Sequence, residues 1–155
     1  KLIAMPQKPF LPVLYELVRA YQAFESYSAA HIRTLGLTAS QFDIVATLGN
    51  TEGMSFKDLG EKTLITKGTL TGVIDRLEDK ALVRRVASRK DGRSQVVQLT
   101  GAGEKLFAKV FPAHLCHLEQ VFKGFSQRDL DVTEAALQQL KEAFSAANIN
   151  LEEVA

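Results

Sequence analysis

The chain has 155 residues, 46% of them hydrophobic and 24% charged, the make-up of an ordinary globular protein long enough to bury its own core. With 19 Lys and Arg against 18 Asp and Glu the net charge is +1, so bulk charge gives no sign of a polyanionic partner. No apolar run approaches the roughly 18 residues of a membrane span, and the single cysteine, Cys116, excludes an internal disulfide framework and fits a reducing cytoplasm.

The first residue is Lys1, from which a natural start further upstream is expected. Phe10–Val18 is too short for a signal sequence and carries Glu16. Pro6, Pro9 and Pro12 make the first dozen residues a poor helix interior. From Val13 the spacing of Leu14, Leu17, Val18, Tyr21, Phe24 and Ser28 predicts one helix face, running to about Leu35 with Gly36 as its cap. Thr38-Ala-Ser-Gln41 is a capping box, and Phe42, Val45, Ala46 and Leu48 follow it as a short amphipathic helix. Asn50–Gly53 reads as a turn, and Ser55-Phe-Lys-Asp58 opens a third helix from which Leu59 and Leu64 face inward.

Thr66 is expected to cap a fourth helix with the core stripe Leu70, Val73, Ile74 and Leu77. Its other face carries Lys67, Thr69, Thr71, Asp75 and Arg76. Residues 82–87 and 94–99 suit two strands, with Lys90-Asp-Gly92 as the turn between them. Arg84, Arg85, Arg89, Lys90 and Arg93 crowd into this hairpin, with Asp91 the one acid among them. A long helix from about Ala102 to Lys123 follows, kinked at Pro112. A last helix, capped by Ser126-Gln-Arg-Asp129 and lined by Leu130, Leu137, Leu140 and Phe144, is expected to fray near Asn148. The fold class is therefore mainly α with a small β-hairpin wing. It is a winged helix-turn-helix over 38–100, flanked by helical regions 10–36 and 101–147 that together make one intertwined dimerisation region. A single copy offers those flanking helices little but each other, so association of two chains would bury more.

A helix followed at once by a basic hairpin is a layout that binds DNA, because phosphate association depends on where charge sits. Thr69 and Thr71 suit base edges or a thymine methyl. Lys67 reaches a phosphate or a guanine, and Thr66 with the free N–H groups of the first turn suits a phosphate oxygen. Gly68 and Gly72 cost helix stability, roughly 1 kcal/mol each, which leaves close approach to DNA or packing against another helix as their reason. Arg93 is the candidate minor-groove probe. Arg89 and Lys90 suit phosphates, as do Ser40, Ser55 and Lys57 at helix starts, while Arg76 shares the outer face of the fourth helix. Asp91 is expected to shape the turn, by accepting a hydrogen bond or pairing with Arg93. The plain alternative is a solvated hairpin that protects an edge strand, or a winged helix used for protein contact.

Taken in order, Leu37–Leu48, Leu59-Gly-Glu-Lys62, Thr66–Leu77, Leu82-Val-Arg-Arg85, Asp91-Gly-Arg-Ser94 and Leu99-Thr-x-x-Gly103 resemble the MarR family of bacterial transcriptional regulators over nearly the whole chain. The resemblance implies a cytoplasmic homodimer that binds double-stranded DNA at a pseudo-palindromic operator, with repression relieved by a small ligand or an oxidant. It also implies a ligand pocket where the winged module meets the dimer helices. Candidates there are Tyr27, His31 and Arg33 with Phe42 and Asp43, suited to a small aromatic or phenolic acid. Two departures from the family pattern are Ala81, where glycine usually ends the fourth helix, and Gly72, where a larger polar residue is usual.

Cys116, flanked by Leu115 and Leu118, is expected to be buried and unreactive; oxidation there is the alternative trigger. His114 and His117 stand three apart, but two ligands make no closed zinc site, so no metal is expected. No catalytic motif is present, so neither catalytic residues nor a cofactor is expected, and the chain reads as a regulator rather than an enzyme.

Overall fold

The computed structural model describes residues 8–154. Pro6 and the other residues before Lys8 lie outside them. The chain divides into two compact units, one running through His117 and the other from Leu118 onward.

In the first unit α1 (Leu11–Thr34) begins with a proline in its first turn, where the missing N–H costs nothing. Gly36 follows its end with φ +81°, the left-handed conformation expected of a helix-ending glycine. Helix α2 (Ala39–Leu48) has the reciprocal capping box, Gln41 N–H to Thr38 Oγ1 and Thr38 N–H to Gln41 Oε1. Helices α3 (Phe56–Lys62) and α4 (Lys67–Asp79) complete a helix-turn-helix. The core is Ile44, Val45 and Leu48 from α2, Leu59 from α3, and Leu70, Val73, Ile74 and Leu77 from α4. Burial of each such aliphatic side chain stabilises by about 1.5–3 kcal/mol. A second cluster joins Ile32 of α1, Leu37, Phe42 of α2 and Val110 of α5 (Gly101–Glu119).

The sheet has three antiparallel strands in the order β1 (Met54–Ser55), β3 (Gln95–Leu99), β2 (Val83–Ala87). Val83 pairs Leu99 at the base of the hairpin and Ala87 pairs Gln95 near its tip. The two residues of β1 pair Val96 and Val97 inside what the sequence reads as a turn running into a helix start.

Leu64 corrects the reading of the third helix. That helix ends at Lys62, and Leu64 sits in the following turn with 80% of its surface exposed. Ile65 takes the inward place instead, packed in the core cluster that also holds Leu70, in the positions of a hydrophobic staple. Thr66 is the cap of α4, but its hydroxyl meets that of Thr69 rather than a backbone N–H.

The join between α4 and β2 keeps the geometry of a glycine-ended helix. Leu82 N–H bonds Leu77 O and Ala81 N–H bonds Glu78 O, the paired bonds of a Schellman motif. Ala81 supplies the required left-handed residue with φ +57°. An L-residue there carries about 1–2 kcal/mol of strain, and a glycine would give back about 0.4–1 kcal/mol in unfolded-state entropy. Ala81→Gly is therefore expected to stabilise the protein by about 0.5–1 kcal/mol, read as a rise of roughly 1–4 °C in Tm.

The Leu99-Thr-x-x-Gly103 motif anchors the other end of the hairpin. Thr100 Oγ1 accepts the Gly103 N–H at the start of α5 and donates to Ala81 O at 2.6 Å. A Cβ on Gly103 would stand 2.1 Å from the Leu82 carbonyl oxygen, so only glycine lets α5 pass.

The second unit holds the end of α5, a 3-10 turn at Gln120–Phe122 and α6 (Gln127–Val154). Ser126 and Asp129 exchange the bonds of a capping box. Contrary to the expected fraying near Asn148, α6 continues helical to Val154. Val132, Leu137, Phe144 and Ile149 on it are each half or more exposed. The same holds for Tyr15, Val18 and Phe24 on α1.

Candidate nucleic-acid interface

Helix α4 buries Leu70, Val73, Ile74 and Leu77 and turns the rest of its surface outward. Lys67, Gly68, Thr69, Thr71 and Arg76 are exposed on it, as is the cap Thr66. A methyl placed on Gly68 or Gly72 would meet nothing within 4 Å, so neither glycine is there to admit a packed helix. Of the two explanations open for these glycines in the sequence, packing within the chain is thereby removed. What is left is a nearly smooth helix surface with two threonine hydroxyls and a lysine at its leading end. Ser55 caps α3 by accepting the Asp58 N–H at 3.1 Å, so its hydroxyl is already committed, and Lys57 is exposed beside it. Ser40 lies partly covered in the first turn of α2.

The tip of the hairpin is organised by Asp91. Its carboxylate accepts the N–H groups of Arg93 and Ser94, each at 3.0 Å, and the Ser94 hydroxyl at 2.8 Å. The Ser94 N–H and hydroxyl, then the Arg93 N–H, hold this carboxyl below its ordinary range. Asp91 thus meets the backbone of Arg93 and not its guanidinium, which settles which of the two expected roles it has. Gly92 takes φ +63° in the same turn. Arg89, Lys90 and Arg93 are exposed, and their charged ends make no hydrogen bond or ion pair among the described residues.

Two of the five clustered bases are used inside the fold. Arg85 on β2 pairs with Asp75 and, at 2.9 Å, with Glu78 on α4, and lies over the Phe56 ring of α3. It ties three elements together and fixes the angle between α4 and the hairpin. Arg84 gives its Nε–H to Gln98 Oε1 across the strands at 2.7 Å. Arg85 is thus the one base of the five whose charge is paired with acids, and the uncompensated charge of the hairpin is Arg84 on the strand with Arg89, Lys90 and Arg93 at the tip.

The candidate ligand residues divide into two sets. Tyr27, His31 and Phe42 come together, and with them stand His114 and His117 of α5, which sequence reading kept apart as a metal-spaced pair. The His31 ring stacks on His117 at 4.1 Å between centroids and Tyr27 stacks on His117 at 4.2 Å. His31 Nδ1 and His114 Nδ1 share a hydrogen bond of 2.9 Å, and the far nitrogen of His114 meets the Ser28 hydroxyl at 2.9 Å. Phe42 presents its edge to His114. All 3 histidines of the chain thus form one column between α1 and α5. Arg33 is exposed and joins none of these contacts. Asp43 faces the other way, accepting the Leu64 N–H at 3.2 Å. Burial pushes its carboxyl above the ordinary range, against the opposing effect of that bond.

Cys116, expected to be buried, is exposed, because its side of α5 faces away from the histidine column; Leu115 beside it is 49% exposed. Among the described residues no group of three or more His, Cys, Asp or Glu is arranged to hold a metal ion. No described helix is long and apolar enough to cross a membrane.

Residues 35–94 match the sequence model of the MarR family. The chain is 28% identical over 130 residues to the HTH-type transcriptional regulator MhqR of Bacillus subtilis, spanning 84% of this chain and 90% of that one. It is 29% identical to the homoprotocatechuate degradative operon repressor of Escherichia coli over 124 residues, 80% of this chain and 79% of the relative. Among solved structures, BpsR of Bordetella bronchiseptica, whose DNA binding is regulated by 6-hydroxynicotinic acid, superposes with a TM-score of 0.76 at 26% identity, covering 88% of this chain and 98% of that one.

Proposed function

Because the chain belongs to the MarR family of winged-helix transcriptional regulators, DNA-binding proteins and not enzymes, we propose that it is a homodimeric repressor of a pseudo-palindromic operator. The observation that carries this reading is the pairing of an open α4 surface with a hairpin tip that bears three free bases and is shaped by Asp91 at Arg93 and Ser94. In this reading α4 enters the major groove. Thr69 and Thr71 face base edges, Lys67 faces a guanine or a phosphate, and Thr66 and Arg76 face the backbone. Arg93 enters the adjacent minor groove, and Arg89, Lys90 and Lys57 hold phosphates. Ser40 and Ser55 lie at helix starts that approach the same strands.

Dimerisation is supported by the apolar residues that each unit leaves uncovered on α1 and α6. A two-fold dimer reads two half-sites related by the same symmetry. Its place of action is the cytoplasm, where bacterial operators are. The effector is a small hydroxylated aromatic acid, taken up beside the histidine column on the side of His31 and Tyr27. His31 offers its second ring nitrogen, Tyr27 offers the acceptor side of a hydroxyl that already donates to the His117 carbonyl, and the rings offer stacking surface.

Selection of bound fragments from a random DNA pool tests this directly. The expected result is an enriched inverted repeat bound by a dimer, with affinity falling steeply as salt rises, at a slope of about −0.9 per phosphate contact. Enrichment of no sequence, or binding insensitive to salt, would overturn the reading.

A further inference from the structure

Leu64 is the most exposed large hydrophobic residue among those described, at 80%, yet it is anything but a loose loop residue. Its N–H is held by the half-buried Asp43 carboxylate of α2. The preceding Thr63 is buried, with both its N–H and its hydroxyl on Leu59 O, and the following Ile65 is locked in the core. The backbone is therefore fixed on both sides of a side chain that projects mostly into solvent. It projects immediately ahead of the first turn of α4, next to exposed Thr66 and Lys67. That turn includes Gly68, where no side chain stands off an approaching surface.

We infer that Leu64 is a further specificity-determining residue, whose methyl groups read the C5-methyl of a thymine in the major groove. The inference rests on the DNA-binding reading above. A fixed apolar side chain beside a helix start that lies in the major groove has one apolar counterpart there, because the thymine methyl is the sole apolar group that the bases present in that groove. The glycines of α4 bring the groove close enough for a residue outside the helix to touch it. The contact adds sequence information at a position that the small side chains of α4 leave unread.

Deoxyuridine replacement provides the test, since it deletes the methyl and keeps every hydrogen bond. In the selected operator, thymidines are replaced one position at a time and affinities are measured for wild type, Leu64→Ala and Leu64→Met. The expected result is one position per half-site where uracil weakens wild-type binding on the order of fourfold, the value of one buried methyl. Leu64→Ala should weaken binding to the unmodified operator by a similar factor and show no uracil penalty there. Leu64→Met should keep the penalty, and the salt slope should be the same for all three. Because Leu64 is 80% exposed and outside the core clusters, Leu64→Ala is expected to melt within about 1–2 °C of the wild-type temperature. A uracil profile unchanged by Leu64→Ala would overturn the inference while leaving DNA binding intact. Failure of the wild-type chain to bind any DNA would remove the DNA-binding reading itself, and this inference with it.

Discussion

Asp91→Ala weakens operator binding on the order of tenfold or more, although it removes the one negative charge from the tip of a DNA-facing hairpin. Simple charge counting predicts the opposite sign, because a lost carboxylate raises the local positive potential. The difference lies in what Asp91 holds. It accepts the backbone N–H groups of Arg93 and Ser94 together with the Ser94 hydroxyl, so its loss frees the segment that aims Arg93. Arg93→Ala gives a loss at least as large and also reduces the steepness of the salt dependence by about 1 for each hairpin bound. Asp91→Ala leaves that steepness nearly unchanged, since all three tip bases are still present. Fluorescence titration at several salt concentrations separates the two effects. Tighter binding by Asp91→Ala would show that the carboxylate repels DNA and does not shape the turn.

The second large effect is in stability. His31 and His114 are both held below the ordinary histidine range, in each case first by burial and then by neighbouring histidine charge. The folded protein therefore resists protonation that the unfolded chain accepts at about pH 6.5. Their packing is at full strength above pH 6.5 and is lost progressively as pH falls below it towards the folded-state values. Urea midpoints are expected to be level between pH 7 and 8 and to drop at pH 5.5. His114→Ala removes the centre of the column, leaving a gap beside Phe42 and depriving Ser28 and His31 of their partner. The expected cost is about 2–4 kcal/mol at pH 7.5, with a shallower loss towards pH 5.5 than in wild type. A wild-type midpoint that does not move between pH 7.5 and 5.5 would contradict this account.

These two sites differ in how far the sequence discloses them. The hairpin tip is local: Asp91, Arg93 and Ser94 are within four positions, and turn chemistry is written in neighbours. The helix-turn-helix is legible for a similar reason, since the Thr38 capping box and the Leu70–Leu77 stripe repeat at helical spacing. The histidine column is not local, because His31 and His114 are 83 positions apart. Its one trace in the sequence is a match of spacings. Tyr27 and His31 are four apart on α1, and His114 and His117 are three apart on α5, so each pair forms one face waiting for a partner. Periodicity continued through the end of α3 counts Leu64 inward, whereas the helix stops two residues earlier and Ile65 takes the core position. Strand β1 is invisible to periodicity, as two residues cannot alternate in any telling way.

The wing end of α5 has a mechanical consequence. Thr100 bonds Ala81, and Gly103 is pressed on the Leu82 carbonyl with no room for one further carbon. Sliding of α5 past the Leu82 carbonyl is blocked at that point. From Gly103 to His114 the helix spans about 16 Å, so a tilt of about 5° about this fixed point displaces the histidine end by more than 1 Å. A change of tilt imposed at the histidine end would therefore reach the base of the hairpin through the Gly103 contact.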